Sequence, residues 1–241
     1  MVKTLDVVIP AYRGNINEFE FGFIKQYDYY KSNLNEFKWN VLISLNGDRA
    51  EKIIEKAKKF CKKYSNVSYI HTLNEGKGYS IVNGLKNCKS DIVAYMDVDL
   101  STDLSSFRNL ISGIVKGYDI SNGSRYHKNS IVERYHSRKI LSMIYHMFIL
   151  RFFLNVKFRD AQCGYKAVSQ RFIKEVLPLV KDRNWFFETE MLYLAEKKGL
   201  KIIEIPIVWK ESGFSSVRLI KTVLEFLSKV IELKFRKLNV N

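Results

Sequence analysis

The sequence predicts an α/β protein with a mostly parallel β-sheet flanked by helices. In the amino-terminal part, short apolar runs alternate with longer segments that mix apolar and charged residues. The apolar runs are typical of strands buried on both faces, and the mixed segments of helices that cover them. Strands and helices that alternate in this way form parallel sheets with right-handed crossovers. The 241 residues, 46% hydrophobic and 14% aromatic, are enough for one sizeable core.

Three strands and three helices are predicted before the fourth apolar run. The first strand is apolar and is brought to an end by Pro10 and a turn at Gly14. Residues 50–64 place apolar side chains at helical spacing among lysines, as an amphipathic helix does. In chain order, the predicted elements are a strand at Thr4–Tyr12, a helix at 17–37, a strand at 38–45, a helix at 50–64, a strand at 67–71 and a helix at 79–89.

The carboxyl-terminal part begins with the apolar run at residues 91–96. The strand predicted at residues 201–209 contains Pro206, which lacks a backbone N–H, so we expect it at an edge of the sheet. The other predicted elements are a helix at 104–116, a strand at 119–122, a helix near 170–180 and a helix from Ser215 onward. We assign residues 1–216 to one domain and residues 217–241 to an amphipathic helix.

Two aspartates, Asp97 and Asp99, directly follow the run at 91–96 and precede a polar turn at Ser101 and Thr102. The carboxyl end of a buried strand is the usual position of a ligand site in an open α/β sheet. Neighbouring carboxylates repel each other unless a positive charge lies between them, and a hard divalent cation is the common solution. The pattern therefore predicts a metal site that can hold a diphosphate. The alternative is a pair of solvated turn aspartates.

The chain is strongly basic. Its 40 Lys and Arg residues against 25 Asp and Glu residues give a net charge of +15, which favours nucleic acid, an acidic membrane or a phosphorylated substrate as partner. The three cysteines show no spacing of a metal site or disulfide framework, so a reducing compartment is expected. No signal peptide precedes the first strand, and no apolar stretch reaches the ~18 residues of a spanning helix. We therefore expect a cytoplasmic protein that does not cross a membrane.

Six short motifs follow one another along the chain. They are VVIPAY at residues 7–12, NEGKG at 74–78, MDVDLST at 96–102, GSR at 123–125, DAQCGYK at 160–166 and WFFETE at 185–190, and IPIVW at 205–209 continues the series. In this order they resemble the family-2 glycosyltransferases, most closely the branch of dolichyl-phosphate (polyprenyl-phosphate) glucosyltransferases and mannosyltransferases. The similarity spans residues 4–216. It implies the GT-A fold, a Rossmann-like sheet with a smaller acceptor-side region.

The resemblance places a nucleotide-sugar donor at the carboxyl end of the sheet. It implies that Asp97 contacts the ribose or the metal and that Asp99 coordinates Mg²⁺ or Mn²⁺ bridging the diphosphate. Asn46 and Asp48 stand where the family usually has an acidic residue against the base. Lys77 would face the phosphates, although it is equally well explained as a solvated residue in a glycine turn. The implied donor residues are Pro10, Ala11, Tyr12, Asn46, Asp48, Lys77, Asp97, Asp99 and Gln162.

The later motifs imply the catalytic and acceptor residues. Glu190 holds the position of the family's acidic residue near the acceptor, and Glu188 lies two positions earlier; both are close to Trp185. Burial there would raise a carboxyl pKa and suit a general base. For Lys166, a local ion pair with Asp160 is the alternative. The implied catalytic residues are Asp99, Glu190 and Arg125, and the implied acceptor or phosphate ligands are Arg125, Arg134, Arg138 and Lys166.

The expected activity is inverting, metal-dependent transfer of a hexose, glucose in the first instance, from UDP-glucose to a polyprenyl or dolichyl phosphate. The segment 134–157 mixes basic and aromatic residues and suits a helix at an anionic membrane surface. Many family members continue into membrane-spanning helices, whereas this sequence ends at Asn241, so peripheral attachment is expected.

Two nearer alternatives keep the chemistry and change a substrate: mannosyl transfer, or a glycan or lipid-linked oligosaccharide as acceptor. A different class of function, nucleic-acid binding, would also suit the net charge. The sequence carries no helix-turn-helix, zinc-finger or RNA-binding aromatic motif, and the two aspartates would repel phosphates without a metal. We therefore expect no nucleic-acid partner.

Overall fold

A computed structural model describes residues 3–12, 16–48, 50–133, 145–211 and 219–236. Within them, seven strands form the main sheet: β1 (Thr4–Tyr12), β2 (Lys38–Asn46), β3 (Val67–Thr72), β4 (Ile92–Met96), β5 (Ile120–Ser124), β7 (Tyr165–Ser169) and β8 (Ile202–Pro206). Two short strands, β6 (Ile131–Glu133) and β9 (Val208–Lys210), pair with each other in a second sheet. The α-helices are α1 (Ile16–Asn33), α2 (Glu51–Lys63), α3 (Lys77–Asn87), α4 (Phe107–Val115), α5 (Gln170–Glu175), α6 (Phe187–Lys197) and α7 (Leu219–Phe235).

The main sheet has the strand order β3-β2-β1-β4-β7-β5-β8. Among its described strands, only β7 runs antiparallel to its neighbours, which confirms the predicted mostly parallel α/β sheet. Because β1, β2, β3 and β4 are parallel, their carboxyl ends meet at one edge. There, Tyr12 pairs with Asn46 and Asn46 pairs with Thr72. This edge carries the polar residues that the sequence placed after strands.

The strand predicted at residues 201–209 is divided by the proline. β8 ends at Pro206 and is the edge strand of the main sheet, as the missing N–H of proline requires. The N–H of Ile207 donates to Ser130 Oγ at 3.0 Å. From Val208 onward the chain pairs with β6 instead. The helix predicted near 170–180 is divided as well, into α5 and a 3₁₀ turn at Leu177–Leu179 that contains Pro178.

Helices cover both faces of the sheet. The apolar residues of α1, α2 and α4 pack on one face, and those of α3, α6 and α7 pack on the other. In α7, Phe226, Val230 and Leu233 are buried in the same core as α3 and α6. A π-helix at Tyr145–Phe153, within the predicted basic and aromatic segment, lies on that face too. No helix in the described part of the chain is both long enough and apolar enough to cross a bilayer.

Candidate active site

A cleft of about 560 Å³ opens at the carboxyl ends of β1, β2 and β4. These strand ends and the start of α3 form its walls, so the cleft lies where ligands bind in open α/β sheets. The predicted donor residues that line it are Pro10, Ala11, Asn46, Lys77, Asp97 and Asp99. The walls also contain Glu18, Glu75, Ser80, Asn184 and Trp185, which were not selected as site residues from the sequence. Of these, Glu75 and Trp185 belong to motifs named in the sequence analysis, whereas Glu18 on α1 belongs to no motif that could have indicated it.

Four residues with alternating charge run from the cleft into the core. The Lys77 Nζ donates to Asp97 Oδ2 at 2.8 Å and lies 3.4 Å from Glu188 Oε1. The other oxygen of Glu188, Oε2, accepts a hydrogen bond from Lys166 Nζ at 2.6 Å. We call Asp97, Lys77, Glu188 and Lys166 the charge ladder. Lys77 also lies 5.2 Å from the centre of the Trp185 ring, within reach of a cation–π contact.

The charge ladder changes the acidity of its two carboxyl groups in opposite directions. Burial raises the pKa of Asp97 to about 6; Lys77 opposes this shift, and the charges of Asp99 and Glu188 add to it. Burial also acts to raise the pKa of Glu188, but Lys166 and Lys77 outweigh it, so the pKa is lowered. The expectation that burial beside Trp185 makes this glutamate a group of raised pKa is therefore wrong. Glu188 is a fixed anion at neutral pH.

The turn that carries Asp97 and Asp99 is held by backbone contacts. The Asp97 N–H donates to Gly164 O at 3.2 Å, and Gln26 Nε2 donates to Asp97 O at 3.1 Å. Asp99 is exposed, and its Oδ1 accepts from the N–H of Ser101 at 2.9 Å. Leu100, between Asp99 and Ser101, has a φ of 55°, a left-handed conformation that is unfavourable for a residue with a Cβ. The fold thus tolerates local strain to place the two carboxylates.

Asp97 and Asp99 are the residues that could hold a divalent metal. Both offer hard oxygen donors to the same cleft, as Mg²⁺ and Mn²⁺ prefer. Among the described residues, no group of three or more His, Cys, Asp and Glu side chains is arranged to hold an ion. Two carboxylates leave most coordination positions to water and a bound ligand, which suits an ion shared with a diphosphate. The donor set therefore fits such a cation.

Gly164 touches the Asp97 carboxylate, and this contact allows a test of the placement of Asp97. A Cβ at position 164 would lie 2.1 Å from Asp97 Oδ2 and 2.9 Å from Lys77 Nζ. We expect Gly164→Ala to displace the carboxylate and to lower kcat/KM by about 100-fold, the order of loss known for misplacements of ~1 Å. Gly117→Ala is the control for a general loss of stability: its φ of 87° makes alanine strained there, but the Cβ has no neighbour within 4 Å, so no site residue is displaced. Equal kinetics of the two variants would show that the Asp97 position does not matter.

Glu190 does not face the cleft. Its carboxylate accepts hydrogen bonds from the N–H of Lys181, at 3.0 Å to each oxygen, and of Asp182, at 2.7 Å. It also accepts a hydrogen bond from the guanidinium of Arg236, the residue that follows α7. Positions 188 and 190 are two residues apart on a helix and therefore point about 200° apart, so only one of them can pair with the cleft residue Lys77. Neither glutamate lines the cleft: Glu188 is 2% exposed and contacts the cleft residue Lys77 from behind, whereas Glu190, to which the sequence motif had assigned the catalytic role, points away from Lys77.

Arg125 and Lys166 make internal contacts. The Arg125 Nε and Nη2 donate to the two carboxylate oxygens of Asp160, each at 2.7 Å. The guanidinium that was predicted to bind phosphate therefore binds a carboxylate. Arg125 also lies 5.5 Å from the centre of the Trp209 ring. Lys166 is fully buried and pairs with Glu188 and with the carbonyl of Cys163. Neither is placed as a phosphate ligand, and the alternative pair of Lys166 with Asp160 does not form either.

The remaining predicted residues lie apart from the cleft or outside the described part of the chain. Gln162 Nε2 donates to Thr189 Oγ1 at 2.7 Å beside the charge ladder. Asp48 is exposed on the turn after β2. Arg134, Arg138 and the side chain of Tyr12 are not among the residues that the structure describes.

Asn46 is the predicted base-reading residue that the cleft retains. It is 1% exposed, and its Nδ2 donates to Gly76 O at 3.0 Å. Its Oδ1 has no hydrogen-bond partner, although it lines the cleft. Because the Gly76 carbonyl can only accept, the amide orientation is fixed and Oδ1 is left as an acceptor. A buried acceptor without a partner costs free energy unless a ligand supplies a donor.

Comparison with known proteins relates the chain to one enzyme family. It matches the family model described as Glycosyl transferase family 2 over residues 6–177. It is 31% identical over 157 residues to the glycosyltransferase AglD of Haloferax volcanii, covering 65% of this chain and 25% of that protein. It is 29% identical over 228 residues to a dolichyl-phosphate beta-glucosyltransferase of Trichomonas vaginalis, covering 89% of this chain and 68% of that protein. The corresponding human protein is 30% identical over 189 residues, covering 73% and 57%.

Solved structures match the fold. Glucosyl-3-phosphoglycerate synthase of Mycobacterium tuberculosis in complex with UDP aligns with a TM-score of 0.66 at 14% identity, covering 98% of this chain and 82% of that one. The same enzyme with Mn²⁺, UDP-glucose and phosphoglyceric acid gives a TM-score of 0.66 at 12% identity, with the same coverage. Both support the GT-A fold. The chain spans a quarter of the length of the Haloferax relative and 57% of the human one.

Proposed function

The chain belongs to glycosyl transferase family 2, and on this premise we propose that it transfers glucose from UDP-glucose to a polyprenyl or dolichyl phosphate with inversion at C1. The observation that carries the proposal is the cleft, which combines two carboxylates, an ammonium group and a buried amide acceptor at the carboxyl edge of the sheet. The relatives named dolichyl-phosphate beta-glucosyltransferase support the sugar and the acceptor.

Asn46 supports a uridine nucleotide as donor. Its fixed Oδ1 needs a donor group on the base, and uracil presents its N3–H. Cytosine and adenine present an acceptor at the equivalent ring position, so they would leave two acceptors facing each other. Guanine offers an N1–H, so GDP-mannose is the competitor that an assay has to include.

The start of α3 supports the diphosphate position. Gly76 stands before the helix without a side-chain cap, and Gly76 and Lys77 both line the cleft, so the amino terminus of α3 lies at the cleft wall. A helix amino terminus attracts phosphate, and Lys77 adds a full positive charge at the same place. A divalent ion held by Asp97 and Asp99 would, when bound, stabilise the charge of the leaving diphosphate as a Lewis acid.

The reaction we propose is a single displacement. An oxygen of the acceptor phosphate attacks C1 of glucose while the bond from C1 to the UDP oxygen breaks, which gives lipid-linked glucosyl phosphate and UDP. A phosphate oxygen is already anionic, so no strong base is required. Glu188, ionised by its two lysine neighbours, then holds Lys77 in place against the diphosphate.

The surface of α7 supports peripheral attachment to a membrane. Leu224, Ile231 and Phe235 are 64%, 53% and 75% exposed, and their spacing puts them on one face of the helix. Phe152 of the π-helix is 89% exposed, and the neighbouring Phe153 ring lies 3.9 Å from Lys234 Nζ of α7. Exposed apolar residues on a protein with a net charge of +15 suit an anionic bilayer surface.

The test is a transfer assay with purified protein. Labelled UDP-glucose or GDP-mannose is supplied with Mn²⁺ or Mg²⁺, and polyprenyl phosphate is presented in vesicles with or without anionic lipid. We expect metal-dependent label in the lipid phase from UDP-glucose only, and faster with anionic vesicles. Lipid labelled from GDP-mannose would overturn the donor assignment, and label found only on added glycans would overturn the acceptor.

A further inference from the structure

The segment 181–186, here called the rim segment, forms one side of the cleft. Its residues Asn184 and Trp185 line the cleft. Its Arg183 carbonyl accepts from the N–H of Tyr79 at 3.1 Å. A Cβ on Gly76 or Gly78 would lie 2.4 Å or 2.6 Å from the Arg183 backbone. The rim segment is therefore packed directly on the start of α3, where we place the diphosphate.

A second set of contacts holds the rim segment from behind. The buried Glu190 carboxylate accepts from the N–H groups of Lys181 and Asp182. The guanidinium of Arg236, at the end of α7, donates to Glu190 and to Leu179 O. Lys229, also on α7, pairs with the Asp182 carboxylate. These contacts link the carboxyl-terminal helix to the wall of the cleft through one short segment.

We propose that Glu190 and Arg236 are positioning residues that hold the rim segment in the conformation that binds the nucleotide. Neither touches the cleft. In the described part of the chain, Glu190 is the only carboxylate that accepts from the backbone N–H groups of Lys181 and Asp182, and Arg236 neutralises it. Together they hold Asn184, Trp185 and the Arg183 carbonyl against α3. This inference rests on the proposed nucleotide-sugar donor but adds residues that the donor does not contact.

The proposal requires a change in affinity without a change in chemistry. When the competent conformation is only partly populated, the apparent Kd rises by the inverse of its fraction. Loss of Arg236 leaves a buried carboxylate without its cation, so the rim segment opens more often. The charge ladder is untouched. We therefore expect Arg236→Met and Glu190→Gln to raise the KM for UDP-glucose and the Kd for UDP by about tenfold, with kcat within about threefold of the parent protein.

The experiment combines three readouts on the full chain. They are calorimetric UDP binding with Mn²⁺, the kcat and KM for UDP-glucose, and the rate of tryptic cleavage of the folded protein after Lys181 and Arg183, both in the rim segment. Cleavage should accelerate about tenfold in Arg236→Met, whereas Arg236→Lys should restore part of the protection and affinity. Arg108→Met is the matched control, because Arg108 also pairs with a glutamate, Glu36, but both side chains are about half exposed.

The outcomes distinguish a failure of the positioning role of Glu190 and Arg236 from a failure of the proposed function. Faster cleavage with unchanged Kd and KM would overturn the coupling of the rim segment to the cleft, and a fall in kcat with unchanged KM would place Glu190 in the chemistry instead. Retained UDP binding without glucose transfer would overturn the proposed function alone. No binding of UDP by the parent protein would overturn both. Thermal midpoints below the assay temperature would identify a folding failure, in which case Arg236→Lys carries the test.

Discussion

Asp99→Ala is expected to lower glucose transfer about 1000-fold while leaving the fold intact. Asp99 offers a carboxylate to the cleft beside Asp97, and a metal on this pair would stabilise the leaving diphosphate. The side chain is exposed and makes one local hydrogen bond among the described contacts, to the N–H of Ser101. Its loss should therefore cost less than about 1 kcal/mol of unfolding free energy. Transfer rates at several Mn²⁺ concentrations and the thermal midpoint are the measurements.

Asp103→Ala is the control for this substitution. Asp103 is likewise exposed, and its Oδ1 accepts from the N–H of Ser105 at 2.8 Å, as Asp99 accepts from Ser101, but here the bond also caps the 3₁₀ turn at Leu104–Ser106. It does not line the cleft. Asp103→Ala should lower the thermal midpoint at least as much as Asp99→Ala does, yet it should keep the activity that Asp99→Ala loses. Full activity of Asp99→Ala would remove the carboxylate pair from the mechanism.

The sequence predicted those parts of the site that follow strands. Pro10, Ala11, Asn46, Asp97 and Asp99 lie at or just beyond strand ends, and parallel pairing alone brings such positions to one edge. The strand pattern and the edge position of Pro206 were predictable for a related reason, since both depend on local chain properties. Predictions of this kind need no knowledge of how helices pack.

The direction of helical and buried side chains was not predictable in the same way. The motif contains Glu188 and Glu190, and helical geometry says only that they point apart. Which one pairs with the cleft residue Lys77 depends on how α6 packs against β4 and α7. The same limit applies to Arg125, whose partner Asp160 is 35 positions away in the chain. Buried cations look like ligand-binding residues in a sequence until their counter-ions are located.

Glu188→Gln tests which glutamate of the motif, Glu188 or Glu190, supports the chemical step. It leaves the buried Lys166 ammonium without its anion and releases Lys77 from one of its two carboxylates. We expect kcat to fall about 100-fold or more, because Lys77 then loses its fixed position at the diphosphate. Glu190→Gln should instead leave kcat within about threefold and raise KM, because Glu190 acts through the rim segment.

The difference in unfolding free energy between Glu188→Gln and the parent protein should become smaller as the pH falls. The folded pKa of Glu188 lies below its ordinary value of 4.5, so its ionised form stabilises the protein above that pH, and the contribution is lost as pH falls through the folded pKa. At pH 7 we expect a loss of about 3 kcal/mol, typical of one broken partner in a buried ion pair. Urea unfolding at pH 7 and pH 4 would show the difference from the parent protein shrinking at the lower pH.

A second substitution tests whether the unpaired Lys166 causes the loss of unfolding free energy in Glu188→Gln. Lys166→Met removes the buried ammonium, and Met can occupy much of the same volume. In the Glu188→Gln background we expect it to restore part of the unfolding free energy, because an unpaired buried charge costs more than an apolar side chain. It should not restore kcat, since Lys77 still lacks Glu188. Normal kcat in Glu188→Gln together with a low kcat in Glu190→Gln would return the catalytic position to Glu190 and contradict the charge ladder as the active arrangement.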